Sequence, residues 1–421
     1  MAAEYRGPLA DYRVLDLSDE KGLLCGRMLG DLGADVIQVE PPGGNPARRI
    51  GPFYHDIPHP EKSLFWYAYG ANKRSITLDI ETADGQEILK NLIRTAHFLV
   101  ESFPPGYLDK LGLSYASINK INPGIIMASI SPFGQSGPYK DYKASDIVCM
   151  AMGGLMKITG DPDRPPLRVS YFQAYLQAAT YAAVGAMIAH YHRGVTGTGQ
   201  HVDSAVQPAI LRITHNAVAF WLQRGEIMSR AGQYRVGLST AALQRQTWPC
   251  QDGFISFQLQ GGTLGRRMIP ALLDWIETEG IVDDNFKRLK EMDWPSFDMA
   301  STDQELFDLM SETFGGFFLN HTKAELYEGA MARHIMLYPV ASPSELLDNA
   351  QLQARDYWVQ MESPEPGINL KYPGAFCRAS ETPPQLRFRA PLIGEHNREI
   401  YEQEMGMSPR EIMTLQQARI I

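Results

Sequence analysis

The stretch YRVLDLSDEKGLLCGRMLGDLGADVIQVE, residues 12–40, decides the fold. Tyr12 to Leu17 reads as a strand from its valine and leucine content. Leu23 to Leu32 reads as a helix stopped by Gly33. Asp35 to Glu40 reads as a second strand, closed by Pro41-Pro42-Gly43-Gly44. Strand, helix, glycine, strand is a βαβ unit, and parallel strands joined this way take a right-handed crossover. The unit contains no GxGxxG, so a nicotinamide dinucleotide site has no support.

The alternation continues outward. ANKRSITLD at 71–79 is a loop running into a strand, and Ala83 to Thr95 is an amphipathic helix with Ile88, Leu89, Leu92 and Ile93 on one face. His97 to Glu101 is the next strand, Phe103 to Leu113 a turn with a short helix, and Gly124 to Ile130 a further strand leading into the loop SPFGQSGPY. The fold class is therefore α/β: a doubly wound, Rossmann-like large domain with ligands expected at the C-terminal ends of its strands.

Pro165-Pro166 keep helix out of the following approach. Leu167 to Tyr171 reads as a short strand. Gln173 to about His192 reads as a helix of roughly 20 residues, about 30 Å long, ended by Gly194, Gly197 and Gly199. Gln173, Gln177, Thr180 and His190 interrupt its apolar run, so it reads as buried in protein and not as a membrane span. Another helix is expected from Pro208 to Gln223. From Ser239 the pattern changes: Gln246–Pro249 and Phe254–Gln258 form a hairpin, and Gln260-Gly261-Gly262 opens a helix near Leu264. Later helices are expected at 304–317, at 323–332 and from Pro409. The expected domains are a large one at 1–205, a linker helix at 206–235, a smaller α+β lid at 236–335, and a return segment at 336–421 that completes the first.

At 421 residues, 44% hydrophobic and 21% charged, the chain can bury a large core. Its net charge of -9 argues against a nucleic-acid surface. Cys25, Cys149, Cys250 and Cys377 are far apart, with no zinc spacing, and read as reduced thiols. Glu4, Arg6 and Asp11 leave no apolar leader, so a cytoplasmic protein without metal is expected.

Residues 23–44, PLRV with its following helix, AHYHRGVTGTGQHVDSAV, and the tail signatures YPVASPSELLDNAQLQARDYW, YPG and APLIGEH resemble class III CoA-transferases. That family includes formyl-CoA, carnitine and benzylsuccinate CoA-transferases and related acyl-CoA racemases. The resemblance implies an interlocked dimer and coenzyme A esters, such as succinyl-CoA, as substrates. By that resemblance Lys73 matches a nucleotide-binding lysine, Lys110 replaces an arginine, and Ser102 replaces an asparagine. Arg74 is a further expected phosphate ligand. Gly134, Gln135 and Tyr139 match the loop beside the acyl group, and Gln260-Gly261-Gly262 a mobile lid. Asp19-Glu20-Lys21 stands where many members carry His or Gln.

The family's catalytic aspartate lies six places after the RV pair. Here that place holds Tyr175. A carboxylate is needed because it is both nucleophile and leaving group, and a phenol with a pKa near 10 is not equivalent. Asp203 is a weak substitute, since the family keeps an aspartate there for structural reasons. Three readings follow: a non-nucleophilic subunit of a heterodimer or heterotetramer whose homologous partner carries the aspartate, as benzylsuccinate CoA-transferase is built from two related subunits; a self-sufficient acyl-CoA enzyme of altered, racemase- or lyase-like chemistry; or a non-catalytic acyl-CoA binding protein. The first is preferred.

Overall fold

A computed structural model describes residues 7–236, 242–299, 301–362 and 369–421. Glu4, Arg6 and Ser239, used above, lie outside the described residues. The chain divides into two compact units. The first comprises the chain up to Leu155, then Arg168–Gly225 and Ala350–Ile421; the second comprises Met156–Leu167 and Glu226–Asn349. The stretch 156–167 thus leaves the first unit, which is not continuous over 1–205.

The first unit is built on six parallel strands: β1 (Arg13–Asp16), β2 (Asp35–Glu40), β3 (Arg74–Thr77), β4 (Phe98–Glu101), β5 (Ile126–Ser131) and β6 (His201–Ala205). They lie in the order β3-β2-β1-β4-β5-β6, the doubly wound arrangement. Its helices are α1 (Leu23–Asp31), α2 (Leu64–Gly70), α3 (Ala83–Thr95), α4 (Tyr107–Lys110), α5 (Tyr115–Ile121), α6 (Asp146–Met152), α7 (Gln173–Thr196), α8 (Val206–Ile213) and α9 (His215–Arg224). Strand side chains alternate between faces. Leu15, Ile37 and Leu99 share one core with Ile88 and Leu92 of α3 and Ile118 of α5. On the other face α1 packs against α7.

Three expectations need correction. Leu167 to Tyr171 is not a strand, because it pairs with no sheet edge. The strand is instead β6, which sequence reading missed and which pairs with β5. The long helix runs four residues past His192: Gly194 stays helical, and Gly197 (φ 77) ends the helix by donating its N–H to the Arg193 carbonyl. Pro208 to Gln223 is two helices broken at Thr214.

α7 lies close to the sheet because its inner face is small. Ala178, Ala182, Ala186 and Ala189 are buried there. A Cβ on Gly185 would stand 2.6 Å from Val202 of β6, so only glycine permits this crossing. At its C-terminal end Arg193 donates to the carbonyls of His97 (2.8 Å) and Gly124 (2.9 Å). Tyr12 packs edge-on against His97 and His190 in the same cluster. Burial, followed by the Arg193 charge, holds both histidines below their usual pKa of 6.5. The folded state therefore favours neutral imidazoles. Stability from this cluster is complete above pH 6.5 and falls as pH drops from 6.5 toward the depressed folded pKa values. His190→Gln should flatten the pH dependence of unfolding in that window relative to the unaltered chain, as denaturant titrations would show. The comparison must be a difference, because buried carboxyls such as Glu101 act with the opposite sign.

The return segment closes the β3 edge, which otherwise offers unpaired backbone groups. His396 exchanges hydrogen bonds with Ser75, Asn397 accepts from the Thr77 N–H, and the Tyr401 hydroxyl donates to the Thr77 carbonyl at 2.7 Å. The second unit contains an antiparallel hairpin, Thr247–Cys250 with Gly253–Phe257, joined by Leu337–Pro339. Helices Gly262–Thr278 and Gln304–Leu319 enclose its core around Trp248, Phe257 and Phe314.

Candidate functional site

The first unit holds a cavity of about 490 Å³ at the C-terminal ends of its strands. Leu17, Val39 and Leu78, just after or at the ends of β1, β2 and β3, line it together with Ser102 and Phe103 after β4, Tyr107 of α4, and Arg419. β1 and β4 are neighbours whose connections leave the sheet in opposite directions, and ligands of doubly wound folds bind at such a crevice.

Two loops are tied together there. The Asp19 N–H donates to Ser102 Oγ at 2.9 Å, and that hydroxyl donates to Asp19 Oδ1 at 2.7 Å. Glu101, at the end of β4, is buried and accepts the Phe103 N–H at 2.7 Å, which fixes the loop lining the cavity. Burial pushes its carboxyl up to about 7, against the hydrogen bond it receives from Ser129. Ser129 Oγ lies 2.8 Å from His201 Nε2. The carboxyl of Glu20 is also raised, first by burial and then by Asp19. The β1–α1 loop is thus acidic where the resemblance led one to expect His or Gln.

Tyr175 lies in the first turn of α7 and is buried. Its ring stacks on Phe172 with centroids 5.9 Å apart, and its hydroxyl donates to the Ala144 carbonyl at 3.4 Å. Burial first, then the neighbouring Cys149, Glu20, Asp146 and Asp19, push the phenol above its ordinary pKa of 10. It stays protonated. The helix has no capping side chain of its own. Asp146 of α6 supplies one, accepting the Tyr175 N–H at 2.9 Å; burial raises this carboxyl's pKa, against the Tyr175, Ala174 and Gln173 amides, which lower it. The positive helix end is therefore capped by a buried carboxyl from another helix.

The other expected ligand residues are dispersed. Ser102 lines the cavity, and Lys110 is exposed at the end of α4, whose first residue, Tyr107, also lines it. Lys73 does not face ligand phosphates: it is buried, and its ammonium donates to Asp16 Oδ2 (2.7 Å), the Leu23 carbonyl (3.0 Å) and Gln38 Oε1 (3.0 Å). All three of its donors are used inside the fold. Arg74 opens β3, at the opposite end of the sheet from the cavity, and pairs there with Asp35, Glu399 and Glu404. Gly134 and Gln135 belong to the loop after β5, where the Gln135 N–H donates to Asp203 Oδ2 at 2.9 Å. Asp203 thus anchors that loop. Tyr139 is exposed and stacks on Tyr142, 5.0 Å between centroids. Gly261 and Gly262 begin a helix of the second unit. Sequence reading missed Phe103, Tyr107 and Arg419 as cavity residues. The rule that ligands meet strand ends could have found the first two, and nothing in the sequence pointed to the third. Among the described residues, no group of three or more His, Cys, Asp or Glu could hold a metal ion.

The sequence profile of CoA-transferase family III matches residues 9–397. The chain is 36% identical over 396 residues to succinyl-CoA:(R)-benzylsuccinate CoA-transferase subunit BbsE of Thauera aromatica, covering 92% of both chains. It is 29% identical over 425 residues to the succinyl-CoA–L-malate CoA-transferase beta subunit of Chloroflexus aurantiacus, covering 98% of both. A solved structure of a CAIB/BAIF family protein from Brucella suis superposes with a TM-score of 0.81 at 26% identity, covering 94% of this chain and 99% of that one.

Proposed function

The chain belongs to CoA-transferase family III, and from that premise we propose that it is the non-nucleophilic subunit of a heteromeric CoA-transferase. The enzyme moves CoA from a donor such as succinyl-CoA to an organic acid of the benzylsuccinate class. A homologous partner chain carries the carboxylate that attacks the thioester. That carboxylate displaces the CoA thiolate and forms a mixed anhydride. The thiolate attacks the enzyme-side carbonyl and releases the donor acid, leaving an enzyme thioester. The acceptor carboxylate displaces the thiolate to form a second anhydride, and the thiolate attacks the acceptor-side carbonyl, giving the new CoA ester and freeing the enzyme carboxylate. The relatives named as subunits support a partner of this kind.

Tyr175 is the observation that carries the reading. At the helix entry where the family presents a carboxylate, this chain buries a protonated phenol against a carbonyl. A neutral phenol is a poor nucleophile, and its ester could not exchange as an anhydride does. CoA is assigned to the cavity at the strand ends, with Ser102 beside it and Lys110 meeting its phosphates by a charge-assisted bond. No helix among the described residues is long and apolar enough to cross a membrane. We read the enzyme as cytoplasmic, in keeping with four free cysteines, three of them buried.

The test is a pair of assays. The chain purified alone should transfer no CoA from succinyl-CoA. In the assembled enzyme, Tyr175→Phe should keep more than about half of the activity, since among the described residues the hydroxyl makes one long bond of marginal strength. Transfer by the lone chain, or loss of activity on removing that one oxygen, would refute the reading.

A further inference from the structure

The helix Pro409–Gln417 ends in a Schellman turn: the Arg419 N–H donates to the Gln416 carbonyl at 3.0 Å and the Ile420 N–H to the Leu415 carbonyl at 2.9 Å. Such a turn puts one residue in the left-handed region, and glycine is its usual occupant because a Cβ is strained there. Here that residue is Arg419, with φ 57. A conformation of this kind persists where the surroundings hold it. Ile420 and Ile421 are buried in the core that contains Leu17, Val39, Leu78 and Ile80, which also line the cavity at the strand ends. The Ile420 carbonyl accepts the Asp79 N–H at 2.7 Å, just past β3. The strained arginine is thus pinned to the cavity wall from both its neighbours.

Among the described residues, Arg419 is the one basic side chain lining that cavity, and no hydrogen bond or ion pair engages its guanidinium. Two carboxylates line the cavity with it. Asp79 Oδ1 accepts the Glu81 N–H at 2.9 Å, and Glu81 Oε1 accepts the Tyr107 hydroxyl at 2.8 Å. Each keeps its second oxygen for another donor. Carboxylates at the strand ends of doubly wound folds accept hydrogen bonds from ribose hydroxyls, whereas phosphate calls for the two-pronged donor of an arginine. Hydroxyl acceptors beside an uncommitted arginine suit a ribose that carries a phosphate next to a free hydroxyl. The ribose of CoA is such a group, with its phosphate on O3′ beside the 2′-hydroxyl. We propose that Arg419 binds the 3′-phosphate of CoA and makes this chain discriminate CoA from its 3′-dephospho form, an inference that rests on CoA occupying this cavity. Asp79 and Glu81 then accept from the 2′-hydroxyl, and the phosphate supplies the anion that the guanidinium lacks.

The test variant is Arg419→Gly, which removes the guanidinium and suits the left-handed backbone, so the fold is kept. Hydrogen exchange of the assembled enzyme, read by mass spectrometry on this chain's peptides covering 78–81 and 101–107, is titrated with CoA and with 3′-dephospho-CoA. Reading those peptides separates this cavity from any site in a partner chain. CoA should protect them in the unaltered enzyme. In Arg419→Gly the CoA concentration for half protection should rise about tenfold or more, the loss of a charge-assisted bond, while that for 3′-dephospho-CoA stays the same. An unchanged CoA titration would overturn the role of Arg419, as would an equal loss for both ligands, which would place the arginine away from the 3′-phosphate. In either case protection by CoA leaves the cavity assignment standing. No protection of these peptides by CoA in the unaltered enzyme would remove the cavity assignment and this proposal together.

Discussion

Replacing Lys73 by alanine is expected to lower the free energy of unfolding by about 3–5 kcal/mol, the cost of breaking a buried ion pair from one side. Asp16 and Lys73 are both fully buried at the side chain and stand 2.7 Å apart. Without the ammonium, the Asp16 carboxylate keeps, among the described residues, the Ser18 N–H and hydroxyl as donors, while the Leu23 carbonyl and Gln38 lose the lysine's hydrogen bonds. Burial holds the lysine's pKa below its usual value, against the charge and hydrogen bond of Asp16, which raise it; the three acceptors around the nitrogen match the three donors of the ammonium. The surroundings cannot collapse: a Cβ on Gly26 would already stand 2.0 Å from Asp16 Oδ2, so α1 is as close as it can come. Denaturant unfolding measures the loss. A phosphate-binding lysine would behave differently, losing CoA-ester affinity with stability nearly unchanged.

Arg48→Ala should be comparably damaging, again about 3–5 kcal/mol, and should also weaken acyl-CoA binding. The guanidinium is fully buried and doubly bonded to Glu40, at 2.6 and 2.8 Å. It bonds Glu61 at 2.7 Å and the Pro391 carbonyl at 3.0 Å, and stacks 3.8 Å from the Trp66 ring. Glu40 in turn accepts the Asn45 N–H at 2.7 Å, and Asn45 lines the cavity. Removing Arg48 leaves Glu40 buried and releases the loop that forms that wall. Arg48→Lys should recover only part of the stability, because one ammonium cannot reproduce a planar, two-pronged contact. Unfolding curves and titration with succinyl-CoA together separate the two effects.

The βαβ unit at 12–40 was legible, because hydrophobic strands, a helical run and a stopping glycine each follow local rules. So was the oddity of Tyr175, which needs only a residue count. What sequence hid was partnership. HVDSA at 201–205 is short and half polar, and becomes a strand only because β5 offers it an edge. LRVSY at 167–171 has better strand content but no edge to join. Lys73 beside a strand looks like a phosphate ligand until Asp16, Leu23 and Gln38, from three separate segments, converge on it. The cap of α7 comes from Asp146, 29 residues from the amide it accepts, and Arg419 reaches the cavity from the far end of the chain.

The central claim is that the nucleophile of this enzyme is not in this chain. The direct measurement is to add hydroxylamine to the assembled enzyme during turnover with succinyl-CoA, then search both chains for hydroxamates by peptide mass spectrometry. Hydroxylamine intercepts the anhydride or thioester and marks the carboxyl that carried it. The account predicts one marked aspartate, in the partner chain, at the start of the helix equivalent to α7, and an unmodified chain here. A hydroxamate on any aspartate or glutamate of this chain, Glu20, Asp146 and Asp203 included, would contradict it and identify the residue that does the chemistry.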